Sequence, residues 1–130
     1  MTVADSSAII AFLLKEPKWT ELKKYLGFVK TVELAKKEFY NALWKAARLG
    51  RVPDPWETLD VAKEYFDCCA VFEDQDELLD ESLELALKTG LTVYDSLFVV
   101  LSLRSGEELI TLDKKQADVA RSLGVKVLPQ

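Results

Sequence analysis

The segment Thr2-Val3-Ala4-Asp5-Ser6-Ser7-Ala8-Ile9-Ile10-Ala11-Phe12-Leu13-Leu14 decides the fold class. Thr2–Ala4 reads as a short strand. Asp5-Ser6-Ser7 then supplies side-chain oxygens that accept from the free N–H groups of a helix start, so a helix through Leu14 is expected. A strand that hands over directly to a helix is the repeating unit of α/β proteins.

The alternation continues down the chain. Pro17 suits the first turn of a helix ending near Gly27, Phe28–Lys30 is a second short strand, and Thr31–Leu49 is a helix closed by Gly50. Pro53 and Pro55 open a helix over Trp56–Phe72, and Asp74–Lys88 is another, closed by Gly90. Thr92-Val93-Tyr94-Asp95 has capping-box spacing before an apolar helix through Leu103. Glu108–Leu112 is a strand, Lys114–Leu123 a helix ending at Gly124, and Val125–Leu128 a last strand. The expected architecture is three-layer α/β/α around a central parallel sheet of about four short strands. In such sheets, ligands sit beyond the carboxyl ends of the strands.

The 130 residues suit one domain over 1–130, with no linker, low-complexity tract or internal repeat. A hydrophobic content of 49% excludes intrinsic disorder. The longest apolar runs, Ala8–Leu14 and Leu97–Leu101, fall far short of the roughly 18 residues of a membrane span. No basic segment precedes the first apolar run, as a secretory signal would require. Cys68 and Cys69 are adjacent and poorly placed to bridge each other, so a reducing, cytoplasmic compartment is expected.

The absence of histidine removes Ser-His-Asp and Cys-His catalysis, His-based zinc and an imidazole base. With 5 glycines and no phosphate-loop motif, nucleotide cradles are missing too. Chemistry must come from carboxylates, hydroxyls, lysines or a cofactor. Amide side chains are confined to Asn41, Gln75, Gln116 and Gln130, a leaning seen in thermophile proteins. The formal charge of −5 is uneven: Val52–Leu87 holds 12 acids against one base, and the rest 16 bases against 10 acids. An acidic helical arm over about 52–90 thus joins a basic body. Its acids either face solvent, or stand clear of a polyanion site or meet a basic partner.

Asp5 and Asp113 each follow a strand and should emerge at the carboxyl edge of the sheet. Asp95 opens a helix apolar nearly all round, hence buried, which turns its carboxylate toward the interior or a cleft. On the helix Thr31–Leu49, Ala35, Phe39, Ala42, Ala46 and Leu49 form the inward stripe. Glu38 falls about 60° from Ala35, at its rim. Taken singly, each aspartate suits helix capping and Glu38 a surface position. The roles are compatible, because helix N-termini favour a charged carboxylate. As a set they are more telling, each having Ser7, Asn41, Ser96 or Thr111 close by in sequence.

Four stretches, in order, carry this pattern: Val3-Ala4-Asp5-Ser6-Ser7, Glu38-Phe39-Tyr40-Asn41-Ala42-Leu43, Leu91-Thr92-Val93-Tyr94-Asp95-Ser96-Leu97, and Thr111-Leu112-Asp113-Lys114-Lys115 with Gly124-Val125 beyond. Together they resemble the PIN-domain ribonucleases, in particular the VapC-type toxins of prokaryotic toxin–antitoxin pairs. The resemblance implies that Asp5, Glu38, Asp95 and Asp113 hold one or two Mg²⁺ or Mn²⁺ ions, with Ser7, Asn41 and Thr111 as supporting polar residues. It implies cleavage of single-stranded RNA phosphodiesters, a cognate antitoxin protein and a homodimer or higher oligomer. Ser96 departs from the alanine common at its position. Carboxylate oxygens are the hard ligands Mg²⁺ takes, and metal-assisted hydrolysis requires no histidine.

An aspartyl-phosphate phosphatase would want a second Asp where Ser7 stands, and a receiver domain would want paired early acids. The competing class is a PIN-like binding module with little turnover, which metal-dependent cleavage discriminates. Lys36, Lys37, Lys45, Arg48, Lys114 and Lys115 share elements with the acids and are candidates for RNA phosphate contact. Asp118 suits a solvated helix position better than a fifth acid of the site. Tyr40, Trp44 and Ala47 form a second apolar stripe opposite Ala35. Either Trp56–Lys88 folds back over it, or it serves an interface, where such aromatics are enriched.

Overall fold

In the computed structural model, which describes residues 1–130, Val3 lies in register with Lys30 on one side and Leu109 on the other. It belongs to β1 (Thr2–Ala4), the middle of a five-stranded sheet in which every pairing is parallel. The spatial order is β3 (Ala70–Glu73), β2 (Val29–Val32), β1, β4 (Leu109–Ile110), β5 (Val127–Leu128). Val3, Ala4, Val29, Val32, Leu109 and Ile110 are fully buried, as befits strands covered on both faces. The chain builds outward from β1 to β3 on one side and then fills β4 and β5 on the other. The strand order therefore reverses between β1 and β4, and a crevice opens there at the carboxyl ends.

The helices follow from the capping chemistry. α1 (Ser6–Leu13) starts at the Asp5 cap, and α2 (Trp19–Leu22) is a single turn. α3 spans Leu34–Arg48, and α4 spans Pro55–Cys69 behind the Asp54 cap. A 3₁₀ turn at Asp76–Leu78 runs into α5 (Leu79–Thr89). α6 (Val93–Ser105) is buried from Ser96 to Ser102, and α7 (Lys114–Ser122) starts at the Asp113 cap.

Four differences from the sequence reading have physical causes. The sheet has five strands rather than about four, because Ala70–Glu73 is a strand and not the end of a helix. It is a half-exposed edge strand joined to α4 without a turn residue, so nothing in its composition marks the switch. The acidic stretch is thus not helical throughout. Thr31 and Val32 belong to β2, where the Thr31 hydroxyl donates to the Ala4 carbonyl at 2.8 Å, so α3 begins only at Leu34. Leu49 caps α3 in solvent, and the buried positions of that helix are Ala35, Phe39 and Leu43. Finally, Cys68 and Cys69 are joined by a disulfide. They are the last two residues of α4, and the chain turns extended at Ala70.

Candidate active site

Asp5 ends β1 and turns its carboxylate back into the protein, where it is 2% exposed. Oδ1 accepts from the Ala8 N–H at 2.9 Å and the Ser7 hydroxyl at 2.7 Å; Oδ2 accepts from the Thr111 hydroxyl at 2.5 Å. Thr111 Oγ1 in turn accepts from the Asp113 N–H, and Ser7 Oγ from the Leu112 N–H, each at 3.0 Å. The segments leaving β1 and β4 are therefore bonded around one buried carboxylate.

Asp113 caps α7, its Oδ1 accepting from the Gln116 N–H at 2.9 Å. Asp95 sits in the first turn of α6, its own N–H bonded to the Thr92 cap at 3.0 Å. Glu38, on α3, accepts from the Ser6 hydroxyl at 2.6 Å, which brings it beside the α1 start. Burial pushes the Asp5 carboxyl up to about 6, against the pull of the Thr111, Ala8 and Ser7 hydrogen bonds, and the Asp113 charge adds to the rise. Burial also raises Asp95, again with help from Asp113. Asp113 thus acts electrostatically on both, and the three aspartates share one neighbourhood.

This donor set suits a divalent cation. The acidic and hydroxyl groups gathered here offer oxygens, the ligand type of Mg²⁺ and Mn²⁺, and positive charge would offset the burial and the Asp113 repulsion that lift Asp5 and Asp95. No three acids close on a single point as they stand. Mg²⁺ does not need such a cage, since one or two carboxylates with waters suffice.

A family model for the PIN domain matches residues 2–122. The chain belongs to the PIN-domain family. Within it the chain is of the VapC type. It is 35% identical over 121 residues to the ribonuclease VapC3 of Pyrobaculum aerophilum, covering 89% of this chain and 92% of that protein. It is also 35% identical over 114 residues to the exonuclease VapC9 of the same organism, covering 87% and 80%. The crystal structure of PAE2754 from Pyrobaculum aerophilum superposes with a TM-score of 0.74 at 30% identity, over 98% of this chain and 83% of that one.

The supporting residues expected in this PIN domain divide. Ser7 and Thr111 are in the Asp5 network, whereas Asn41 is exposed and makes no hydrogen bond to it. Asn41 instead lines a shallow hollow with Glu38, Lys37 and Lys45. Of the other lysines, Lys36 lies over the Phe72 ring at 4.4 Å, Lys114 pairs with Asp118 at 2.9 Å, and Lys115 donates to the Gly90 carbonyl at 2.9 Å. Asp118 also faces Arg121 at 3.6 Å, outside the PIN-domain network. Two residues of the site escape sequence reading. Ser6, which holds Glu38, looks like a spare capping hydroxyl, and Gln116, whose Nε2 donates to the Asp95 carbonyl at 3.3 Å, like a surface amide.

Proposed function

We propose that the chain is a metal-dependent ribonuclease that hydrolyses phosphodiester bonds of single-stranded RNA and acts as the toxin of a toxin–antitoxin pair. The observation that carries this reading is the buried Asp5 carboxylate at the strand-order switch, bonded to Ser7 and Thr111, with the Asp113 charge acting on both it and Asp95. Burying one acid beside two half-buried ones is unfavourable unless a cation joins them. Asp5, Glu38, Asp95 and Asp113 would hold Mg²⁺ or Mn²⁺, one or two ions. Such an ion supplies an activated water and charge stabilisation at the scissile phosphate. The chain does the rest: Ser7 and Thr111 fix both oxygens of Asp5, Ser6 fixes Glu38, and the α7 cap fixes Asp113. Lys37 and Lys45, beside Glu38 and without an acidic partner, are placed to meet RNA phosphates.

The partners follow the same reading. A cognate antitoxin would cover the carboxylates, presenting an Arg or Lys in place of the metal's charge. A second copy of the chain would cover the exposed Tyr40–Trp44 stripe. The test of function is cleavage of linear and circular single-stranded RNA with Mn²⁺, with EDTA, and by Asp5→Asn. Cleavage that EDTA and Asp5→Asn both abolish is expected, and Asp5→Asn cutting at the wild-type rate would exclude this site. Cleavage of the linear form alone would assign the exonuclease character that one relative's name carries.

A further inference from the structure

Gln116 is 1% exposed, on the first full turn of α7. Its backbone N–H donates to Asp113 Oδ1 at 2.9 Å, and its side-chain Nε2 donates to the Asp95 carbonyl at 3.3 Å. A carbonyl can only accept, so the chemistry fixes which end of the amide faces Asp95. The other end, Oε1, is buried without a partner. Packing alone argues against this residue. A methionine of similar length would fill the space and leave no acceptor stranded.

What the amide adds over methionine is the bond between α7 and α6. Those two helix starts carry Asp113 and Asp95, whose like charges push each other apart. Gln116 touches both, one through its backbone and one through its side chain. We propose that Gln116 is a positioning residue that holds Asp95 and Asp113 in the mutual geometry that lets them share a divalent cation. The role rests on the metal-dependent reading above. It explains why an amide whose carbonyl oxygen has no partner stands at a core position, as partners behind a metal's own ligands orient those ligands.

The test compares wild type with Gln116→Met, following Mn²⁺ uptake by loss of the free-ion EPR signal and stability by thermal unfolding. Gln116→Met should unfold at the wild-type temperature or above it, yet bind Mn²⁺ about tenfold more weakly. A residue important only for packing would show the reverse, a lowered midpoint with unchanged Mn²⁺ affinity. If Gln116→Met does not fold, Gln116→Asn serves, since it keeps the amide but falls one methylene short of the Asp95 carbonyl. Mn²⁺ affinity within about twofold of wild type in a folded variant overturns the proposal, as does a wild type that takes up no Mn²⁺. A wild type that binds Mn²⁺ through this clamp but cuts no RNA leaves Gln116 in its role and removes only the nuclease reading.

Discussion

The Thr111 hydroxyl donates to Asp5 Oδ2 at 2.5 Å across 106 residues of sequence. It joins the ends of β1 and β4, the two neighbouring strands between which the sheet reverses order. Both residues are buried, so water does not replace the bond if the donor is lost. A charged acceptor makes such a bond stronger than a neutral one.

Thr111→Val keeps the branched shape and removes the donor. At neutral pH it should lower the unfolding free energy by about 1–3 kcal/mol, the range for stranding a buried charged group. Thr111→Ser should recover most of that loss. Urea unfolding of the three proteins measures it, and a Thr111→Val chain as stable as wild type would show that Asp5 does not depend on this bond.

The raised Asp5 pKa sets a direction for stability against pH. Its folded value of about 6 lies above the ordinary 3.8, so between those two values the folded chain binds more protons than the unfolded one. Stability therefore falls as pH rises through that window, and the whole penalty is present above about 6. A shift of this size corresponds to on the order of 3 kcal/mol at full burial. Without metal, wild type should lose stability between pH 4 and pH 7 relative to Asp5→Asn. Mn²⁺ should restore more of it at pH 7.5 than at pH 5. Calorimetric scans at each pH check both statements, and parallel pH curves for the two proteins would refute the first.

Asp5 and Asp113 were legible in sequence because capping chemistry after a strand marks the carboxyl edge without any knowledge of tertiary contacts, and Asp95 because it falls in the first turn of a helix apolar nearly all round. The helix α6 was legible because an apolar run leaves only one place for it. β3 was not, since helix and edge strand there share the same mixture of acids and aromatics, and only pairing with β2 selects the strand. Leu49 misled for a related reason: helical periodicity extends the apolar stripe one turn beyond the point where the core ends. Ser6 and Gln116 were invisible because their roles depend on which distant backbone or carboxylate they meet.

The lysines divide by what already holds them. Lys114 is paired with Asp118 and Lys115 with the Gly90 carbonyl, whereas Lys37 and Lys45 flank Glu38 with no acidic partner. Replacing Lys37 and Lys45 together should weaken RNA binding and flatten its dependence on log salt by about 0.7 per lost phosphate contact. The Lys114 and Lys115 double variant should change the slope less. Fluorescence anisotropy across a salt series, on Asp5→Asn to prevent cleavage, measures both. A slope that neither pair alters would place the RNA elsewhere.

Tyr40, Leu43, Trp44 and Ala47 on α3 face Pro55, Trp56 and Leu59 at the start of α4 across an apolar groove of about 310 Å³. α4 flanks the stripe without covering it, leaving Trp44 55% and Trp56 75% exposed. The Arg48 guanidinium lies over the Trp44 ring at 5.0 Å, so one face of the indole is engaged within the chain. Two solvent-facing tryptophans beside a tyrosine are the residue types that dominate binding energy at protein interfaces. A homodimer seated here should dissociate on Trp44→Ala, with its dissociation constant raised at least about tenfold, and Tyr40→Ala should act in the same direction. Both substitutions lie on an exposed helix face, so the monomer should stay folded by circular dichroism. Light scattering across a concentration series reads the outcome. A monomeric wild type, or a dimer indifferent to both changes, removes the stripe from the subunit contact and leaves the groove open to the antitoxin.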